Sequence, residues 1–311
     1  MKNFSSFIAV AVLLILFGYI SFNEQRHLSR QSTISDEHVA EMKYVVEDAP
    51  FPAISLDVPE NLNFAGEQVP INIPDVRERL DKELQINTYF HSNTLFLIKR
   101  ANRWLPQIEK ILKRNDVPED FKYLPLIESN LLNDISPKNA VGYWQILKES
   151  GKEYGLEITN EVDERYDPLK ATEAACKYLK QAHRKFGSWT LVAASYNRGM
   201  GGIERAIENQ QVKTYYDLFL NEETSRYVFR ILAIKEIVEN PLKYGFRVNP
   251  KHLFQQETLE YIKVDETIKD LVTFARQHDT NYKLIKRHNP WLRDDKLTVK
   301  KNKQYLIGIP E

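Results

Sequence analysis

Glu128 is the residue most suited to acid–base chemistry. It stands in Tyr123-Leu-Pro-Leu-Ile-Glu-Ser-Asn130, a run with no other charged side chain. A carboxyl near the end of an apolar helix loses hydration, which disfavours its ionised form and raises its pKa. A carboxyl raised toward neutrality can donate a proton near pH 7, as a general acid must. The plainer alternative for such a residue is a capping or surface glutamate. Two further segments are Ser136-Pro-Lys-Asn-Ala-Val-Gly-Tyr-Trp-Gln145 and Ala193-Ala-Ser-Tyr-Asn-Arg-Gly199. Each joins a glycine, which permits close approach, to a polar amide and an aromatic ring. Gln145 and Asn197 can donate and accept hydrogen bonds, and Tyr143, Trp144 and Tyr196 can stack or donate to a hydroxyl- and amide-rich ligand. Taken singly, each segment also reads as an ordinary helix terminus.

Other chemistries are not supported. The seven histidines form no His-x-x-x-His or His-Glu-x-x-His pair, and there is no glycine-rich phosphate loop and no Gly-x-Ser-x-Gly nucleophile. No metal and no cofactor is implied. Lysine and arginine number 43, against 43 aspartates and glutamates, so no basic excess exists to neutralise nucleic-acid phosphates. A hydrophobic fraction of 42% with 28% charged residues describes a globular chain. The lone cysteine, Cys176, lies in a helical pattern and reads as a small core residue.

The elements that would position these groups are mostly helical. Residues 1–24 hold an uncharged run, Phe7 to Phe22, read as an export signal or a membrane anchor. Residues 25–80 carry Pro50, Pro52, Pro59, Pro70 and Pro74 without a sustained period, and read as a linker or arm. Residues 81–248 read as an all-α domain. Leu105, Ile108, Ile111 and Leu112 share one face ended by Asn115-Asp116, and Pro118 opens the next helix. Asp167-Pro168 starts a helix that stops at Gly187, Ser188 caps another that ends at Gly199, and Glu223 to Val238 form a third closed by Pro241. Residues 253–311 read as a strand over 259–264, helices over 267–278 and 281–288, and a strand over 304–309. That makes a small α+β unit of βααβ order.

In this order and spacing the motifs become specific. Glu128-Ser129, Gly142-Tyr-Trp-Gln145 and Tyr196-Asn197-Arg-Gly199 resemble the soluble lytic transglycosylase family of peptidoglycan-cleaving enzymes. The Gly-x-Trp-Gln form looks most like its membrane-bound type D branch. Tyr154-Gly155-Leu156, Asp163-Glu-Arg165, Asp167-Pro168, Ala171-Thr172, Tyr178-Leu179 and Glu223-Thr224-x-x-Tyr227-Val228 support the match, which covers roughly residues 100–240. Arg198 departs from the small residue usual there. The C-terminal unit resembles a LysM module through Ile262, Thr267-Ile268, Phe274-Ala275, Leu284, Asn289-Pro290 and Leu306-x-x-Ile309-Pro310, and departs from it at Asp265-Glu266, where Gly-Asp is usual.

The resemblance implies a lysozyme-like helical fold and cleavage of the β-1,4 bond between N-acetylmuramic acid and N-acetylglucosamine, with a 1,6-anhydromuramic acid end. It implies Glu128 as the single catalytic acid. Ser129, Tyr143, Gln145, Tyr196, Asn197 and Glu223 are then expected to bind substrate. The implied partner is peptidoglycan glycan strands, with the membrane as a second through the N-terminal segment if uncleaved. The implied location is outside the cytoplasm, in the periplasm or cell envelope. A goose-type lysozyme-like hydrolase and a non-catalytic wall-binding protein are the rival readings. The C-terminal unit is expected to be separable, so that turnover of short soluble glycans changes little without it.

Overall fold

The protein is described by a computed structural model in which residues 54–310 can be described. The apolar run Phe7 to Phe22 lies outside the described residues. By contact density the chain divides into Met1–Ser55 and Leu56–Glu311, and every helix and strand among the described residues belongs to the second unit.

The first departure from expectation concerns the arm. Residues 56–80 are part of the helical body. A short hairpin pairs β1 (Asn63–Phe64) with β2 (Glu67–Gln68). Ala65 and Gly66 form its turn, both at positive φ (53° and 83°), as a two-residue hairpin loop of this hand requires. Val58, Leu62, Phe64, Val69 and Ile71 are all buried in the main core. The Phe64 ring meets Phe121 edge-on at 5.1 Å between centroids. Pro74, read as linker, is the first residue of helix α1 (Pro74–Tyr89), where its missing N–H costs nothing.

Helix α2 (His91–Arg114) comes next in the chain, and it ends at Asn115 as the sequence suggests. Pro118 precedes a 3₁₀ turn, Glu119–Tyr123, rather than a long helix, and α3 (Leu124–Ser129) continues from it. Helix α4 (Lys148–Glu153) is short. In α5 (Pro168–Phe186) the Asp167 side chain accepts from the Leu169 and Lys170 amides, and Gly187 closes the helix at φ 66°. Helix α6 (Trp189–Arg198) is capped by Ser188. Its N-terminus also receives the Glu67 carboxylate, which accepts from Trp189 N, from Thr190 N at 3.0 Å and from Thr190 Oγ1 at 2.8 Å. An anion there satisfies orphan amides and opposes the helix dipole favourably. This cap, from more than a hundred residues away, ties the hairpin to the body.

After α7 (Met200–Gln210) comes α8 (Glu222–Glu239), whose Tyr227, Val228, Phe229, Ile231, Leu232, Ala233, Ile234 and Ile237 are buried. A helix apolar nearly all round belongs in the centre of a domain. Helix α8 packs on α1, α3 and α6, which fixes the faces that carry the site.

The C-terminal unit forms as expected in outline. Strands β3 (Leu259–Val264) and β4 (Tyr305–Pro310) pair antiparallel around α9 (Leu271–Gln277) and α10 (Tyr282–His288). The first of these helices starts later than expected. Asp270 caps it, and Ile268 is bridged instead to Leu297. The unit has its own core, which includes Leu271, Ile285, Leu292, Leu297, Tyr305 and Ile307. It does not stand apart from the helical body: Val162, from the loop before α5, is buried in that same core.

Candidate active site

Glu128 sits one residue from the end of α3, where the chain turns through Asn130 and Leu131, both at positive φ (53° and 56°). Its carboxylate accepts a hydrogen bond from the Tyr227 hydroxyl of α8. Arg230, one turn further along α8, donates to the Ile127 carbonyl at 2.8 Å. The side chain is half-buried, so it is crowded by protein and still reachable from solvent. Burial pushes its pKa up to about 7. The Tyr227 hydrogen bond and the Arg230 charge pull it down, and the Glu223 carboxylate adds to the rise. The carboxyl is therefore divided between its acid and base forms near neutral pH, as a group that must first give and then take a proton requires.

The Gly142–Gln145 segment is held against this helix end. Gly142 has φ 78°, and a Cβ there would lie 2.1 Å from the Arg165 carbonyl oxygen, so only glycine fits. Trp144 is fully buried and donates to Thr172 Oγ1 at 2.8 Å. Its carbonyl accepts from the Tyr196 hydroxyl at 2.7 Å, which ties α6 to the segment. Arg165 grips the loop from behind. Its guanidinium pairs with Asp163 at 2.9 and 2.7 Å and donates to the carbonyls of Asn139 at 3.3 Å and Ile146 at 3.2 Å.

The expected site residues divide into two groups. Gln145, Tyr196, Asn197 and Glu223 face accessible space. Gln145 and Tyr196 line one recess with Leu147, Ser150 and Tyr178, while Glu223 lines a second, open one with Asn221, Arg226 and Arg230. Asn197 donates to Glu223 at 3.0 Å and accepts from Thr224 Oγ1 at 2.8 Å, so α6 and α8 share a polar seam at the groove. Gln145 folds back, donating to the carbonyls of Gly142 at 2.9 Å and Asp134 at 3.2 Å. Ser129 and Tyr143, also expected to bind substrate, are both buried. The Ser129 hydroxyl is buried 2.9 Å from the Tyr143 carbonyl. The Tyr143 ring is buried edge-on against Trp104 at 5.3 Å. Through these contacts both residues brace the loop.

Tyr227 and Arg230 meet Glu128 without having been among the expected site residues. A signal existed: Tyr227 lies four residues after Glu223 and Arg230 three after Tyr227, one face of one helix. Replacing Tyr227 with Phe removes the donor that favours the carboxylate, so the Glu128 pKa should rise further. The alkaline limb of a pH–rate profile should then move upward. A limb that stays in place or moves down would show that Tyr227 does not control this carboxyl.

Residues 106–219 match the Transglycosylase SLT domain, and residues 260–311 match the soluble lytic transglycosylase C-terminal LysM-like domain. The chain is 32% identical over 194 residues to membrane-bound lytic murein transglycosylase D of Escherichia coli (strain K12), and equally to that of Escherichia coli O6:H1. Each alignment covers 60% of this chain and 42% of the relative, so the chain spans under half the length of these curated relatives. A solved structure of an inactive mutant of lytic transglycosylase Slt from Pseudomonas aeruginosa aligns with a TM-score of 0.37 at 19% identity. It covers 49% of this chain and 26% of that one.

Proposed function

The chain carries a transglycosylase SLT domain and a soluble lytic transglycosylase C-terminal LysM-like domain, and from that premise we propose that it is a peptidoglycan lytic transglycosylase. The observation that carries the reading is the Glu128 carboxyl, raised to about 7 at a helix end and acted on by the charges of Glu223 and Arg230, which line an open recess. In its acid form Glu128 protonates the glycosidic oxygen, and the bond from muramic acid C1 to that oxygen breaks. The N-acetylglucosamine leaves as an alcohol. The carboxylate left behind then takes the proton of the C6 hydroxyl as that oxygen bonds to C1. The proton count closes, no water is consumed, and Glu128 returns to its starting form. Gln145, Tyr196 and Asn197 hold the sugars in this reading, and Glu223 orients Asn197. The substrate is a glycan strand of the cell wall, so the protein works in the cell envelope. Among the described residues no helix is long and apolar enough to cross a membrane. The run Phe7 to Phe22 would supply export or anchoring.

A second reading rests on Glu223. Its charge acts on Glu128, and two carboxylates flanking a bond are the usual equipment of a hydrolase that activates water. The products separate the two. The internal C6 hydroxyl has an effective molarity of about 10⁵ M or more, far above water itself. Digestion of intact sacculi followed by mass spectrometry should therefore give muramic ends one water lighter than hydrolysed ends and non-reducing. Mainly reducing muramic ends would establish the hydrolase. No cleavage at all, with sacculi still bound, would establish the wall-binding protein.

A further inference from the structure

The C-terminal LysM-like unit is joined to the helical body by a seam, and the seam lies directly behind the Gly142–Gln145 loop. Val162 and Leu292 form a β-bridge, with Asp163 N donating to Trp291 O at 2.9 Å and Arg293 N to Glu161 O at 2.8 Å. The Val162 side chain is 2% exposed and completes the core of the C-terminal unit. Polar contacts flank the bridge. The Glu161 carboxylate accepts from Thr298 N at 2.7 Å and Thr298 Oγ1 at 3.1 Å, and Glu157 accepts from Lys303 and from Tyr305 OH at 3.0 Å. The Arg293 guanidinium lies 3.8 Å over the Tyr166 ring.

The contacts continue without a gap to the loop. Asp163, whose amide is bonded to Trp291, holds Arg165 with both carboxylate oxygens. Arg165 in turn holds the carbonyls on either side of Gly142–Gln145, and its own carbonyl packs against Gly142. A flexible tether between two modules would show none of this. We propose that the C-terminal unit, beyond any affinity for the wall, is a positioning element for catalysis: it clamps residues 161–165 and thereby fixes the loop that presents Gln145. This rests on the reading of the site as a glycan-cleaving centre. It reverses the expectation that the unit is dispensable for short soluble glycans.

The test uses the full chain with Val162→Asp, which puts a carboxylate into the core of the C-terminal unit, and Val162→Ile as the conservative control. Amide hydrogen exchange is read in three places: β3 and β4, the loop amides of Gly142 and Ile146, and α2 as a reference. Turnover is read on a soluble glycan too short to reach the C-terminal unit. Val162→Asp should speed exchange in β3 and β4 and in the loop, but not in α2. It should lower kcat roughly 10- to 100-fold, as misplacement of a site by about 1 Å does. The alkaline limb should stay near that of the parent, because the neighbours of Glu128 are untouched, and Val162→Ile should behave as the parent. Should Val162→Asp fail to fold, Glu161→Ala combined with Thr298→Ala loosens the seam without burying a charge, and the same pattern is expected. A loosened C-terminal unit with unchanged loop exchange and unchanged kcat overturns the proposal. So does a seam that neither variant loosens. If the parent chain cleaves no glycan, the proposed function fails, while the exchange arm still decides whether the unit holds the loop.

Discussion

Replacing Glu128 with Gln should lower glycan cleavage by at least about 10²- to 10⁴-fold, the usual worth of a positioned general acid–base group. Gln keeps the shape of the side chain but can neither give nor take the proton. Since the working acid form is lost as pH rises through about 7, the parent should show an alkaline limb near that pH. The same substitution should not harm the fold. The folded-state pKa lies above the ordinary value of 4.5, so the native state holds the proton more tightly than the unfolded chain does. Stability is then fully present below about pH 4.5 and declines as pH rises toward 7. The decline is of order 1–3 kcal/mol, reduced from the full linkage value because the carboxyl is partly exposed. The Gln variant lacks that decline, so it should melt higher than the parent at pH 8, with the gap closing near pH 4. Turnover close to that of the parent would remove Glu128 from the mechanism. Equal melting at pH 8 would remove the burial argument for its pKa.

The largest loss of stability should come from Arg165→Met. The Arg165 and Asp163 side chains are 8% and 9% exposed, and their shortest contact is 2.7 Å. Breaking a buried pair by removing one partner leaves the other charge uncompensated, at a cost of about 3–5 kcal/mol. For a chain of this size that corresponds to a fall in Tm of roughly 10 °C. The carbonyls of Asn139 and Ile146 lose their donor in the same step, so cleavage should fall with stability. Asp163→Asn combined with Arg165→Met should cost less than the sum of the two single changes, since each single change strands the other group. A single-variant Tm within a degree or two of the parent would show that the pair does not hold the loop.

Much of the helical body could be read locally. The helices over Pro168–Phe186, Trp189–Arg198 and Glu222–Glu239 have their start and stop signals in adjacent residues: Asp167, Gly187, Ser188, Gly199 and Pro241. Capping is a short-range hydrogen-bond problem, so sequence suffices for it. Glu128, Gln145, Tyr196 and Asn197 stand out in the sequence only together: each segment alone reads as a helix end, and their order and spacing carry the resemblance that singles them out.

What stayed hidden was set by partners far along the chain. Residues 56–73 look like a proline-rich arm because each hairpin strand has only two residues, too few to show a period. Their place in the core depends on Phe64 meeting Phe121 and on Glu67 capping Trp189–Arg198. Ser129 and Tyr143 have side chains apt for a ligand, and only packing shows that they turn inward. Tyr227 reaches Glu128 across 99 residues, and Val162 completes a core built almost wholly from residues 264–309. The sequence by itself determined the helices over Pro168–Phe186, Trp189–Arg198 and Glu222–Glu239 with their caps, and singled out Glu128. Tertiary structure decided which partners surround that acid and what holds its loop, because those contacts join segments that carry no local sign of each other.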